Sequence, residues 1–260
     1  MASPAPILTL RRVGKTFPNS VVALDALDLE VRDGEFLSLL GPSGCGKSTA
    51  LRLIAALAEP SRGEVVWRNG ESEPSASHTI GFVFQEPTLM PWATVSANVS
   101  LPLRLAGTDL HAAAARVAQM LDRVGLSEFA STYPRELSGG MRMRVSLARA
   151  LVTDPELLLM DEPFAALDEI TRFRLNNDLL ALWQALGKTV VFVTHSVFES
   201  VYLSNRIVVM TPRPGRVFTE IAIDAPYPRD ESFRTSAEYA GYCRKTSQAL
   251  AAAMAQEASA

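Results

Sequence analysis

Cysteine is scarce in this chain of 260 residues: only Cys45 and Cys243 occur, so no disulfide framework organises it and two free thiols in a reducing compartment are expected. Long apolar runs are missing too, since no stretch approaches the roughly 18 consecutive apolar residues of a membrane-spanning helix. The start, Met1-Ala2-Ser3-Pro4-Ala5-Pro6, lacks the basic and apolar segments of an export signal, so the chain is expected to be neither exported nor membrane-spanning. An excess of positive charge is absent as well. With 25 Lys and Arg against 28 Asp and Glu, the net charge of −3 gives no global basic field and no compositional argument for nucleic acid. The length allows one large domain, or a domain with an appendage, and a substantial core.

Against these absences stands Gly41-Pro42-Ser43-Gly44-Cys45-Gly46-Lys47-Ser48, a G-x-x-x-x-G-K-S pattern. It lies where the apolar run Phe36 to Leu40 stops and a helical pattern, Ser48 to Leu57, begins. Glycines there let backbone N–H groups turn onto phosphate oxygens, Lys47 reaches the outer phosphates, and the Ser48 hydroxyl can ligate Mg²⁺. The chain is therefore expected to bind a nucleoside triphosphate.

Short apolar runs fill the first hundred residues: Ile7 to Val13, Leu27 to Val31, Phe36 to Leu40, Val65 to Trp67 and Ile80 to Phe84. From Val95 the pattern lengthens into helices. Val117, Met120, Leu121 and Val124 recur at helical spacing, and Gly125 stands where a C-terminal cap would. Strand Leu157 to Met160, helix Glu169 to Leu186, strand Val190 to Thr194, helix Val197 to Leu203 and strand Ile207 to Met210 then alternate. Such alternation predicts a parallel sheet covered on both faces, with the phosphate loop at its carboxyl edge. A Pro212-Arg213-Pro214-Gly215 turn leads to a strand-like run, Val217 to Ile223, and a helix is expected over Ser236 to Ala255.

Two further motifs carry chemistry. Asp161-Glu162-Pro163 ends a buried apolar run and puts two carboxylates at a strand's carboxyl end, where one can hold Mg²⁺ and the other orient a water for attack on a phosphate. Leu137-Ser138-Gly139-Gly140 opens a helical stretch, Met141 to Leu151, and makes a second anion site.

In this order the motifs resemble those of the ATP-binding cassette family over nearly the whole chain. Gly41 to Ser48 is similar to its Walker A loop, Gln85 to the Q-loop glutamine, Leu137 to Met141 to the signature, and Leu158 to Glu162 to Walker B. Ala166-Leu167-Asp168 is similar to the D-loop, His195 to the switch histidine, and Phe17 to the aromatic residue that stacks on adenine. The resemblance implies an α/β P-loop fold with a RecA-like core, an antiparallel β-subdomain and a helical subdomain. It places the ATP-binding domain at 1–235, with the helical subdomain inserted at about 90–153, and leaves 236–260 as a C-terminal helical appendage. It also implies a head-to-tail dimer in which Ser138, Gly139 and Gly140 of one copy face the ATP on the other's loop.

By the same resemblance, Glu162 polarises the attacking water and His195 contacts the γ-phosphate. Gln85, Ser48 and Asp161 attend the Mg²⁺. Lys47, with Gly41, Pro42, Ser43, Gly44, Cys45, Gly46, Ser48, Thr49 and Asp168, completes the ATP site. Three positions depart from the family's pattern: Met141 replaces the signature glutamine, Ala165 a D-loop serine, and Ser196 the acidic residue that often follows the histidine. None removes a group that carries phosphate, metal or water. The Cys45 thiol, among inward N–H groups beside Lys47, is expected to alkylate readily, with ATP protecting it.

The stretch Phe84 to Val95, with its apolar Leu89, Met90, Pro91 and Trp92, resembles the importer group for nitrate, sulfonates, taurine and related solutes. The function implied is a peripheral ATPase on the cytoplasmic face of the inner membrane. Its partners would be a second copy, an integral permease and, indirectly, a solute-binding protein. Aliphatic sulfonate, taurine, nitrate and a thiamine-precursor pyrimidine all stay open as cargo. The alternative is a soluble, non-transport cassette ATPase acting on ribosome or nucleic acid, which typically joins two cassettes and basic linkers in one chain. An ordinary P-loop kinase gives no reason for the Ser138-Gly139-Gly140 helix start.

Overall fold

The computed structural model describes residues 6–68, 70 and 79–255. Most of the start that argued against an export signal, Met1 to Ala5, and residues 256–260 of the C-terminal segment lie outside the described residues. The chain divides into two compact units, Met1–Ser77 with Gly187–Ala260, and His78–Leu186.

In the first unit, β1 (Pro6–Thr16), β2 (Val22–Arg32) and β4 (Arg62–Trp67) form an antiparallel sheet in the order β2-β1-β4. The core strand β3 (Phe36–Leu40) runs parallel to both β7 (Thr189–Thr194) and β8 (Arg206–Met210). Every residue of these three strands is buried, as expected of apolar runs covered on both faces. The run after the Pro-rich turn becomes β9 (Val217–Ala222) and pairs antiparallel with β8. That pairing follows from the short connection, because a parallel return needs a crossover of a dozen or more residues.

Helix α1 (Lys47–Ile54) ends before Leu57, where the apolar pattern would have carried it. Ala56 takes φ 53°, and the Leu57 N–H donates back to the Arg52 carbonyl, a left-handed helix stop made without glycine. Helices α6 (Val197–Leu203), α7 (Glu231–Arg234) and α8 (Ala237–Ala255) complete the unit. Helix α8 packs rather than trails: Tyr239, Cys243, Thr246 and Ala253 are buried, and the Tyr239 hydroxyl donates to the Phe198 carbonyl at 3.0 Å.

Between β9 and α7, Arg229 is only 4% exposed and donates to the carbonyls of Val201, Tyr202, Ser204, Ile223 and Ala225 at 2.9 to 3.3 Å. Its guanidinium lies 4.1 Å from the ring centroid of Tyr227, and burial lowers its pKa from the ordinary value. A cation at the end of α6 satisfies carbonyls that no helical N–H can reach.

The second unit holds β5 (Ile80–Val83) parallel to β6 (Leu157–Asp161), with α2 (Val95–Leu105), α3 (Leu110–Arg123), α4 (Gly139–Leu151) and α5 (Glu169–Leu186). Side chains cap the helices as their residue types suggest: Thr94 accepts from Ala97, Asp109 from His111 and Ala112, and Ser138 from Met141. Gly125, at φ 67°, follows the end of α3.

Candidate active site

The phosphate loop connects β3 to α1. Gly46 precedes the helix at φ 105°, a conformation open to glycine, and as the N-cap it offers no side chain to the N–H groups of the first turn. Lys47 is 4% exposed and its ammonium donates to the carbonyls of Gly41 at 2.7 Å and Pro42 at 2.9 Å. A buried ammonium needs such acceptors. An uncapped helix start, a buried cation and the Ser48 hydroxyl on the first turn form a donor set that fits a phosphate chain and its divalent metal. Cys45 lies in the same loop, 1% exposed, with Sγ 4.0 Å from Lys47 Nζ. That burial corrects the expectation of a readily alkylated thiol, because a reagent must open the loop to reach it.

Asp161 is the last residue of β6, and Glu162 follows at φ 46°, both half-buried. A left-handed conformation in a residue with a side chain costs on the order of 1 kcal/mol and clusters at functional positions. Here it turns the chain sharply at the strand end, with the Ala165 N–H returning to the Glu162 carbonyl at 3.2 Å. Asp168, fully exposed, accepts from the Thr171 N–H at 2.9 Å, and its hydrogen bonding to Thr171 holds its pKa below the usual carboxylate value.

Ser138 caps α4, and the two glycines after it stand close to side chains of the following segment. A Cβ on Gly140 would stand 2.8 Å from the Thr171 methyl, and one on Gly139 would stand 3.3 Å from Leu167. Gln85 is exposed just beyond β5, as Trp92 is farther along at 77%. His195 is exposed where β7 gives way to α6. Ser196 caps that helix by accepting from Glu199, and the Thr194 hydroxyl donates to the buried Glu199 carboxylate at 2.6 Å. Phe17 is 38% exposed in the turn after β1, with the Lys15 ammonium 5.8 Å from its ring centroid.

Two supporting residues escape sequence reasoning. Asn98 is fully buried on α2. It accepts from the Met90 N–H at 2.8 Å and donates to the carbonyls of Met90, Ala93 and Thr94 at 3.0 to 3.2 Å. Its one signal is a polar residue at an apolar-periodic position between Val95 and Val99. Arg149, near the end of α4, donates to the carbonyls of Pro87 and Thr88 at 2.8 and 2.9 Å and to the Thr88 hydroxyl at 3.0 Å, and burial lowers its pKa. No spacing rule marks an arginine that grips a loop 61 residues earlier.

Comparison with known proteins identifies the family. Residues 24–165 match the ABC transporter family. An ABC transporter ATP-binding protein of Methanocaldococcus jannaschii is 51% identical over 228 residues, which cover 87% of this chain and 84% of that protein. The aliphatic sulfonates import ATP-binding protein SsuB of Bacillus cereus is 41% identical over 228 residues, covering 86% and 89%. Among solved structures, the dimeric ATP-binding cassette MJ0796, bound to ADP and Pi in a post-hydrolysis state, matches with a TM-score of 0.73 at 34% identity, covering 84% of this chain and all of that one. The protein cbiO1 from Clostridium perfringens, part of the ABC transporter complex cbiONQ, matches at 0.75 and 27% identity, covering 84% and 89%. The chain belongs to the ABC transporter family, as an ATP-hydrolysing cassette of α/β P-loop fold that takes ATP with Mg²⁺.

Proposed function

We infer that this cassette works as a dimer on the cytoplasmic face of a membrane and energises import of a small solute, of the nitrate, sulfonate or taurine type, through a partner permease. A solute-binding protein would deliver the cargo. The observation that carries the reading is Trp92, 77% exposed on a backbone that Asn98 holds at Met90, Ala93 and Thr94. A large apolar side chain presented to solvent on a fixed loop suits a surface that another protein covers. The similarity to a sulfonate import subunit supports the solute class.

In this reading Lys47 and the N–H groups of Gly44, Cys45, Gly46, Ser48 and Thr49 hold the phosphates, and Phe17 stacks on the base. Ser48, Asp161 and Gln85 would hold the metal, which would supply charge neutralisation to the transferred phosphoryl group. Glu162 orients and polarises the attacking water, and His195 donates to the outer phosphate. Ser138, Gly139 and Gly140 complete the site of the second copy, with Asp168 at the junction. Residues 1–235 would form the cassette, with the helical subdomain at about 90–153, and 236–260 its C-terminal helical addition.

Two measurements test this. Glu162→Gln should keep ATP binding, accumulate an ATP-bound dimer and lower turnover by about a hundredfold or more, the scale of a lost general base; brisk turnover would remove Glu162 from its role. Affinity purification from membranes should recover an integral permease, whereas recovery with ribosomes or nucleic acid alone would reverse the assignment.

A further inference from the structure

The turn joining β8 to β9, Thr211 to Arg216, contains the Pro212-Arg213-Pro214-Gly215 stretch, to which nothing above gives a role. It lies against the outside of the phosphate loop. Arg213, itself exposed, donates through Nε to the Gly44 carbonyl at 3.1 Å. A Cβ on Gly44 would stand 2.9 Å from the same guanidinium. Two residues on, a Cβ built on the buried Gly215 would stand 2.1 Å from the Cys45 carbonyl oxygen, closer than any side chain permits.

The carbonyls of Gly44 and Cys45 therefore both face the turn. In a planar trans peptide the C=O and the following N–H point in opposite directions. The N–H groups of Cys45 and Gly46 must then point away from the turn, into the loop. The Cys45 N–H does so, directed at the Pro42 carbonyl at 3.4 Å, one of the two carbonyls that the Lys47 ammonium also contacts. Inward N–H groups are what a phosphate needs.

The turn is braced from behind. The Gly215 N–H donates to the Ala23 carbonyl at 2.9 Å, and the Asp25 N–H donates to the Gly215 carbonyl at 3.1 Å. The Thr211 hydroxyl donates to the Pro214 carbonyl at 3.1 Å and accepts from the Arg216 N–H at 3.0 Å, while the Arg216 guanidinium pairs with Asp25. From β2, the Ala23 carbonyl would stand only 2.7 Å from a Cβ on Gly46.

We propose that the Thr211–Arg216 turn is a positioning element for nucleotide binding. It sets the facing of two peptide planes in the phosphate loop, Arg213 through the Gly44 carbonyl and Gly215 through its contact with that of Cys45. Neither residue touches the nucleotide. The proposal rests on the loop being the ATP site, so Lys47→Ala serves as the control for that site.

The test uses the full chain, with equilibrium binding of a fluorescent ATP analogue, steady-state hydrolysis and the melting temperature of the nucleotide-free protein. Arg213→Ala should raise the Kd about fivefold, as expected for losing one charge-assisted hydrogen bond at an exposed site. The KM should follow, kcat should stay within about twofold, and the melting temperature should move by no more than about 2 °C. Arg213→Lys, which keeps a cationic donor, should recover most of the affinity. Gly215→Ala should weaken binding more than tenfold. Parental affinity in Arg213→Ala would overturn the proposal, as would a loss that tracks lower melting and is not rescued by lysine. Lys47→Ala should abolish tight binding; if it binds as the parent does, the nucleotide site itself is misplaced and the proposal falls with it.

Discussion

In the loop Gly41 to Ser48 backbone presses on backbone, from β2 and the β8–β9 turn, so closely that glycine alone fits at Gly46 and Gly215, and the Arg213 and Lys47 side chains add hydrogen bonds to its carbonyls. The loop Gln85 to Thr94 contains no glycine, and two side chains arriving from helices, Asn98 and Arg149, hold it by its carbonyls. The first arrangement leaves its mark on residue types at fixed spacing. The second is invisible to spacing, because the gripping residues belong to other elements. Backbone pressed by backbone admits only glycine at the contact, whereas backbone held by side chains from helices places no such demand on its own residues.

The sharpest way to break this comparison is Gly46→Ala. A Cβ there meets the Ala23 carbonyl at 2.7 Å in a backbone already at φ 105°. The expected cost is about 3 kcal/mol in stability, with ATP affinity lowered at least about tenfold, read by denaturant unfolding and equilibrium binding. A variant that binds ATP normally would show that the loop accommodates what the packing forbids.

A smaller effect is expected from Asn98→Ala, which strips partners from the Met90 N–H and from carbonyls of Met90, Ala93 and Thr94. Unfolding should show a loss of about 2 kcal/mol. ATP affinity should stay within about twofold, since the phosphate loop owes nothing to Asn98. Loss of binding equal to that in Gly46→Ala would erase the distinction between the two loops.

Trp92→Ala should change stability least, by less than about 0.5 kcal/mol, because the ring is 77% exposed. Basal ATP hydrolysis by the isolated cassette should persist. Solute uptake in vesicles carrying the whole transporter should fall. Unaltered uptake would separate the exposed tryptophan from partner docking.

Much of the fold was legible because its signals are local. Buried strands read as unbroken apolar runs, so Leu157 to Met160 and Val190 to Thr194 lie within β6 and β7, and the helix expected over Glu169 to Leu186 matches α5 end for end. Helix α1 was overextended because its stop is Ala56, a residue type that does not advertise a left-handed conformation. The positive φ of Glu162 was hidden for the same reason. Three motifs stand at the element boundaries where the pattern placed them: Gly41 to Ser48 between β3 and α1, Asp161-Glu162 at the end of β6, and Ser138-Gly139-Gly140 at the start of α4. The residues that steady those motifs, Asn98, Arg149 and Arg213, act through carbonyls far along the chain, which no periodicity encodes.

Arg229 sets a limit on how this protein can be cut or joined. Shortening the chain after β9 would leave the carbonyls of Val201, Tyr202, Ser204, Ile223 and Ala225 without the donor that now serves them. Each orphaned buried acceptor weighs about 1–3 kcal/mol against the folded state. A minimal cassette trimmed at the edge of its sheet should thus be insoluble or loosely folded at α6, the helix that follows His195. An extra domain grafted beyond Ala255 leaves that clasp closed but starts beside the phosphate loop, because Met254 lines one cavity with Pro42, Ser43, Gly44 and Arg213.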